Sequence, residues 1–385
     1  MRRQIRKVAV LGSGVMGSAI AAHFANAGIA SLVLDIVPKD AGDDRKARDR
    51  IAAGAVAALK KTRPSPLFIA RDISLIETGN LEDDLPRLKE ADWVIEVVKE
   101  DMKIKKIVLA NAAPHIAPEA IFTSNTSGLS LAEMATVLPD DLKPRFFGTH
   151  FFNPPRYMKL FELIPTSDSD PELVSFVADF ARDRLGKGIV MAKDTPNFIA
   201  NRVGVHAMMA TVGVMNEMGL SIEEVDALTG PAIGRPKTAT FKLADLVGLD
   251  TFVHVAENIY PLIPDDEARE TFKLPDYLHR MVEKGYLGRK SGAGFYKMEK
   301  TAEGKKFSTL DLETLEYRDK AKPKLPEMVQ AKAIEDLPER LKTLAFGKGK
   351  AGQAIWKMLA ASFSYSAMRL GEICDQAAEI DQAVC

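Results

Sequence analysis

The run KVAVLGSGVMGSAIAAHFANAG, residues 7–28, constrains this chain more than any other stretch. VAVL is a short continuous apolar run, the pattern of a parallel strand buried on both faces. Gly12, Gly14 and Gly17 follow in G-x-G-x-x-G spacing, and SAIAAHFANAG reads as a helix of small residues with Gly28 at its C-cap. SLVLD is then a second strand ending in Asp35, 18 residues past Gly17. Strand, glycine turn, helix, strand and terminal acid in that order predict a dinucleotide-binding βαβ unit. Gly12 permits the tight turn, Gly14 lets a pyrophosphate approach the backbone, and Gly17 lets the helix pack closely on the sheet. The free N–H groups of the helix N-terminus face the phosphates. Asp35 accepts hydrogen bonds from ribose hydroxyls and repels a 2′-phosphate, which favours NAD over NADP.

More strands follow at α/β spacing: ADWVIEVV (91–98), AIFTSNTS (120–127) and RFFGTHFF (145–152), with helical patterns in RKARDRIAAGAVAALKK and DMKIKKIVLANAAPHI. This alternation predicts a doubly wound sheet, whose ligands bind beyond the C-terminal strand ends. Asp35, Glu100, Ser127 and His150 all fall at or just past such ends.

GTHFFNPPRYMKLFELI, residues 148–164, places a histidine and a carboxylate in oily surroundings. If residues 145–164 fold back as two antiparallel strands about Arg156, paired residue numbers sum to about 312, and His150 faces Glu162. Pro154 and Pro155 exclude a two-residue hairpin, so this register is approximate. A buried carboxylate needs a partner, and an imidazole beside it has its tautomer fixed. Next to a dinucleotide site the pair predicts oxidation of a secondary alcohol, with His150 as base, Glu162 stabilising the imidazolium and Ser127 donating to the substrate oxygen. Two other readings stand beside it: a non-catalytic NAD-binding relative, and a dehydrogenase of small hydroxy acids.

At 385 residues with 46% hydrophobic content, the chain is long enough for two or three domains. Its formal net charge of -1 gives no basic excess for nucleic acid or an anionic membrane. Cys374 and Cys385 form neither a disulfide framework nor a metal spacing, and the six histidines are scattered, so no metal is expected. MRRQIRK before VAVLG imitates a secretory signal, but three glycines break the apolar part. Without a run of 18 apolar residues, a soluble cytoplasmic protein is expected.

The motifs GSGVMGSAIA, EVVKEDMKIK, SNTSGLS, GTHFFNPP, MKLFELI, KDTPNFIANR and GRKSGAGFY occur in the order found in L-3-hydroxyacyl-CoA dehydrogenases. The chain resembles that family over about residues 5–297, and is nearest to the dehydrogenase part of large multifunctional β-oxidation proteins. The resemblance implies a Rossmann-type doubly wound NAD-binding domain, then an all-α domain like the C-terminal domain of 6-phosphogluconate dehydrogenase. It implies NAD-dependent oxidation of L-3-hydroxyacyl-CoA to 3-ketoacyl-CoA in fatty-acid β-oxidation. By motif, His150 matches the catalytic histidine, Glu162 its acidic partner, Ser127 the active-site serine and Asn201 a substrate contact. Gly12, Gly14, Val15, Met16, Gly17, Asp35, Glu100, Lys105, Ser127, Asn153 and Lys290 match cofactor contacts. The segment RIAAGAVAALKKTR departs from the polar helix that would meet CoA, leaving Lys60, Lys61 and Arg63 as candidate phosphate contacts that read first as a solvated helix end. GRPKTATFKLADLVGLD carries Lys237 where simpler members have a smaller apolar residue.

The predicted domains are 1–192 (NAD-binding), 193–297 (helical), a charged, proline-bearing linker or surface segment at 298–335, and 336–385. Thr195 and Pro196 read as the N-cap and first position of a helix, apolar nearly all round, that Gly219 closes. Ser221 and Glu224 form a capping box for the next. EMGLSIEEVDAL (217–228) and EICDQAAEIDQA (372–383) align without a gap at an offset of 155, pairing Glu217 with Glu372, Glu224 with Glu379 and Asp226 with Asp381. The tail therefore reads as a truncated second copy of the helical domain, as in a fragment of a longer protein. Its partners would be an acyl-CoA thioester and either a second copy, through the helical domain, or further C-terminal domains.

Overall fold

Eight short, apolar-rich segments assemble into one sheet. They are β1 (Lys7–Leu11), β2 (Ala30–Asp35), β3 (Ile76–Asn80), β4 (Trp93–Glu96), β5 (Ile121–Ser124), β6 (Phe146–Phe151), β7 (Leu160–Ile164) and β8 (Gly188–Met191), in spatial order β3-β2-β1-β4-β5-β6-β7-β8. All neighbours are parallel except β6 and β7. The five strands expected from sequence are present, and so is the antiparallel return. The computed structural model describes residues 3–301 and 304–384, so Cys385 lies outside the described residues, while Cys374 is buried. β1, β2, β4 and β5 are almost wholly buried, as the unbroken apolar runs require. Phe24, Trp93, Phe151 and Phe180 meet edge-on or stacked beneath the first helix, Val15–Asn26.

Two compact units result, one containing the chain through Ile199 together with the segment from Leu370, the other Ala200–Arg369. The sequence boundaries at 192/193, 297/298 and 335/336 follow pattern, whereas the contacts divide the chain elsewhere. The reason at the C-terminal end is local. Lys193 N–H donates to Ile373 O, Lys193 Nζ reaches Gly371 O and the Asp375 carboxylate, and Met191 N–H on the edge strand β8 donates to Glu379 Oε2 at 2.9 Å. Glu379 aligns with Glu224, which closes the capping box with Ser221. The counterpart of Ser221 is Gln376, so the second carboxylate caps a sheet edge instead.

The second unit centres on the helix Ala200–Met218, against which Lys350–Met368 packs. Ala200–Met218 starts five residues after the expected N-cap, because Asn197 and Phe198 adopt left-handed φ of 61° and 49° and Ile199 N–H donates to Glu162. Nor is it apolar all round. Arg202 and His206 are buried within it, and Asp266 accepts from Arg202 and from the Tyr365 hydroxyl. Residues 298–335, expected as a linker, carry most of a folded three-stranded antiparallel meander, β9 (Tyr296–Thr301), β10 (Gly304–Leu310) and β11 (Tyr317–Asp319). Lys305, Lys306 and Asp319 are exposed and Arg318 pairs with the buried Glu223, while Leu310, Leu315, Leu325 and Met328 join the core of this unit.

Two buried imidazoles make the fold acid-sensitive. Burial, reinforced by the Lys187 charge, pushes His23 down to about 4, and burial pushes His206, stacked on Tyr365 at 3.8 Å, to about 4 against the opposing pull of Asp266. Between the ordinary histidine value and about 4 the unfolded chain binds protons that the folded chain refuses. Stability is therefore full above about pH 6.5 and falls as pH drops toward 4, by at most about 3 kcal/mol per histidine. Urea unfolding should show this loss between pH 7 and 4.5, and a His23→Gln/His206→Gln double variant should lose much less. Equal acid loss in that variant would contradict the assignment.

Candidate active site

The glycine turn is built by close approach. A Cβ on Gly17 would fall 1.9 Å from Gly12 O, so only glycine lets the helix sit this near the end of β1. Gly14 is different: a Cβ there would meet nothing within 4 Å, and its φ of -58° is open to any residue. The protein leaves that space unused. The helix that starts at Val15 has no side-chain N-cap, so its first-turn N–H groups point outward uncapped. Asp35 braces the loop, its Oδ2 accepting from Ser13 N–H at 2.6 Å and Ser13 Oγ at 2.5 Å. Val15 and Ile36 flank this cleft with 73% and 61% of their surface exposed. An open cradle at Gly14, uncapped N–H groups, an acid at the end of β2 and two bare aliphatic walls fit a dinucleotide.

Along the ends of β4 and β5 runs a chain of charges. Glu96 is fully buried and accepts from Lys105 Nζ at 2.9 and 3.0 Å, from Ser124 Oγ at 2.5 Å and from Val98 N–H at 2.6 Å. Lys105 lies on the helix Met102–Ala112 and also pairs with Glu100 at 3.1 Å. Burial alone would depress the Lys105 ammonium, but the charges of Glu96 and Glu100 outweigh it and hold its pKa above the lysine norm. Glu100 in turn accepts from Thr126 Oγ1 and from the Ser127 backbone N–H, both at 2.7 Å. At 1% exposure Lys105 lies inside the protein and bears on Ser127 through Glu100.

The histidine and the carboxylate face each other. The ladder pairs His150 with Glu162, and His150 Nδ1 lies 2.7 Å from Glu162 Oε2. Glu162 is fully buried and its Oε1 accepts from Ile199 N–H at 3.2 Å. The rings of Phe152 and Phe198 pack on the imidazole at 4.3 and 5.9 Å. Asn125 Oδ1 accepts from Phe151 N–H and fixes the end of β6, beyond which Asn153 is exposed. Among the described residues no hydrogen bond occupies His150 Nε2.

Ser127, three residues past the end of β5, thus joins His150 of β6 and Glu162 of β7, with Glu100 and Lys105 behind Ser127. Asn201 and Lys290 belong to the second unit. There Asn201 is the second residue of Ala200–Met218, and Lys290 pairs with Asp250 at 2.5 and 2.6 Å. Glu96, Asn125 and Phe198 were not read from sequence. Glu96 had a signal, a lone acid closing an apolar strand nine residues before a lysine in the next helix.

Comparison with known proteins agrees with this geometry. Residues 7–195 match the family model described as 3-hydroxyacyl-CoA dehydrogenase, NAD binding domain, and residues 198–298 match that of the C-terminal domain. A probable 3-hydroxyacyl-CoA dehydrogenase of Bacillus subtilis is 48% identical across the whole chain, which spans 49% of that relative's length. One of Deinococcus radiodurans is 45% identical over 80% of this chain and 87% of its own. Among solved structures, 3-hydroxybutyryl-CoA dehydrogenase from Escherichia coli is 25% identical, with a TM-score of 0.71 over 99% of this chain and 88% of that one.

Proposed function

Since the chain belongs to the 3-hydroxyacyl-CoA dehydrogenase family, we propose that it oxidises L-3-hydroxyacyl-CoA thioesters to 3-ketoacyl-CoA in fatty-acid β-oxidation, in the cytoplasm. Its cofactor is NAD, which the matched domain binds. No helix among the described residues is long and apolar enough to cross a membrane. The observation that carries the reading is the 2.7 Å contact of His150 Nδ1 with the buried Glu162, which leaves Nε2 for a substrate hydroxyl.

Bound NAD would supply the hydride acceptor for the carbon that bears the hydroxyl. His150 Nε2 takes the hydroxyl proton, and in the reverse direction returns it to the forming alkoxide. Glu162 Oε2 accepts the Nδ1–H throughout, fixing the tautomer and balancing the imidazolium charge. Ser127, held through Glu100, donates to the substrate oxygen, and Asn201 contacts the substrate. Gly12, Gly14, Val15, Met16, Gly17, Asp35, Glu100, Asn153 and Lys290 would hold the cofactor, while Lys105 positions Glu100. A second copy of the chain or further domains of a multifunctional assembly complete the working particle.

The test is incubation with acetoacetyl-CoA and NADH, which should consume NADH. Folded, NADH-binding protein without turnover would overturn the reading. In the same assay Glu162→Gln should lower kcat by about 10²-fold with KM little changed, since the loss falls on the proton transfer. A kcat within about threefold of the parent would remove Glu162 from the mechanism. Gly14→Ala, whose Cβ meets no protein atom within 4 Å, should shift Tm by less than about 2 °C yet weaken NADH binding at least about tenfold. Unaltered NADH affinity in that variant would place the pyrophosphate elsewhere.

A further inference from the structure

The segments FKLADLV and GRKSGAGFY have a second consequence in the folded chain, and every residue involved belongs to the second unit. Arg289 N–H donates to Asp245 O, and Phe295 and Tyr296 N–H donate to the two Asp245 carboxylate oxygens at 2.8 and 2.9 Å. This folds the glycine-rich loop beside β9 and β10 and leaves a cavity of about 610 Å³, within the range of small-molecule sites. Its lining brings together Lys242, Arg289, Lys297 and Lys320. Two of these cations are neutralised nearby, Lys242 by Asp226 at 3.1 Å and Lys297 by Glu299 at 2.7 Å. Among the described residues neither Arg289 nor Lys320 has an ion-pair partner. Among the described residues the only acid in the lining, Asp245, is 5% exposed and turned to the backbone N–H groups, so it leaves the mouth positive.

The other wall is apolar. Lys242 and Lys320 lie 5.3 and 5.4 Å from the centroid of the Tyr296 ring, which holds both ammoniums beside the cavity. Met298 and Phe307, directly paired across the β9–β10 ladder, leave 45% and 49% of their surface bare. Arg289 and Lys320, the two lining cations without an ion-pair partner among the described residues, give the cavity a positive charge that a bound anion would offset. A bare phosphate would fill neither the volume nor the apolar wall. A fatty acyl chain would use the wall and waste the cations.

We propose that this cavity binds an adenine nucleotide carrying several phosphate charges, with the phosphates on Arg289, Lys242 and Lys320 and the base against Phe307 and Met298. Two sources carry that chemistry, free ATP and the phosphorylated adenosine end of CoA. The assignment is independent of the reaction proposed above.

The experiment is calorimetric titration of the full chain, saturated with NADH so that the glycine-loop cleft is filled, with ATP, CoA, adenosine and inorganic pyrophosphate. At least one of the two nucleotides should bind in addition to NADH, and adenosine and pyrophosphate at least about tenfold more weakly, because each offers half of the recognition. Lys320→Glu, at an exposed position, should weaken the nucleotide at least about tenfold, and Phe307→Ala about threefold to tenfold, with NADH affinity unchanged. The tighter of ATP and CoA identifies the source. The proposal is overturned if neither nucleotide binds, if pyrophosphate binds as tightly as the nucleotides, or if both variants bind them like the parent.

Discussion

His150→Gln should cut turnover of acetoacetyl-CoA with NADH by about 10³-fold or more while the chain stays folded and binds NADH as before. Three features of the site lead to this expectation. The imidazole is the one titratable ring at the end of β6, its Nδ1 is engaged by Glu162 at 2.7 Å, and its Nε2 has no hydrogen bond among the described residues. Glutamine preserves the partner contact, since its amide can still donate to Glu162 Oε2, but it neither takes up nor gives back a proton. The fully buried Glu162 therefore keeps a donor, and the change falls on chemistry rather than on folding. Alanine is a poorer probe, because it strips that carboxylate of its imidazole and opens a hole between Phe152 and Phe198. The readouts are kcat, NADH affinity and Tm on one preparation. Turnover within about tenfold of the parent, with the other two unchanged, would show that the proton travels by another group.

What the sequence made legible follows from the physics of each element. Parallel strands buried on both faces must be continuous apolar runs, so β1, β2, β4, β5 and β6 stood out. β3 did not. It is an edge strand, IETGN, with one exposed residue and no apolar run, held by β2 on one side only. β8 has only four residues, with a single buried position. The His150–Glu162 contact was legible because a two-residue period fixes facing partners once the turn centre is known, and Pro154 and Pro155 did not displace the register by a residue. The delayed start of Ala200–Met218 was not legible. Thr195 and Pro196 make a sound local start signal, but Asn197 abuts Gly128 and Ile199 N–H is taken by Glu162, contacts formed with residues 37 and more positions away. The meander at 296–319 was hidden for the same kind of reason. Its strands are rich in charge, and its apolar residues are too few and too spaced to read as strands until a core is there to receive them. Buried Arg202 was not read from the sequence because its partners, Asp266 and Tyr365, lie 64 and 163 residues along the chain.

That cluster gives the largest expected effect on stability. The Asp266 carboxylate accepts from Arg202 at 2.7 Å and from the Tyr365 hydroxyl at 2.8 Å, and lies 3.0 Å from Arg369, while Arg202 Nε donates to the same hydroxyl at 2.7 Å. The side chains of Arg202 and Asp266 are each 1% exposed. Burial pushes the Asp266 carboxyl up, but hydrogen bonds from Arg202, Tyr365 and Ala268 N–H, with the Arg369 charge, outweigh it and hold it below the usual aspartate value. Asp266→Ala takes from the buried Arg202 the carboxylate it pairs with, while Arg369 keeps Glu267 at 2.6 Å, a loss worth about 3–5 kcal/mol. Because Arg202 sits on one of the two long helices and Tyr365 and Arg369 at the end of the other, the loss falls on the packing of Ala200–Met218 against Lys350–Met368. Asp266→Asn keeps the shape and removes only the charge, and should lose somewhat less. The sign with pH is fixed by the lowered pKa. The contribution is full above the unfolded value near 4 and is lost as pH falls through the lowered folded one, so parent and Asp266→Asn should differ most near neutrality and converge as pH falls through that folded value. Chemical unfolding at pH 7 checks the magnitude. A loss under about 1 kcal/mol for Asp266→Ala would show that the carboxylate only repays its own burial and does not hold the two helices together.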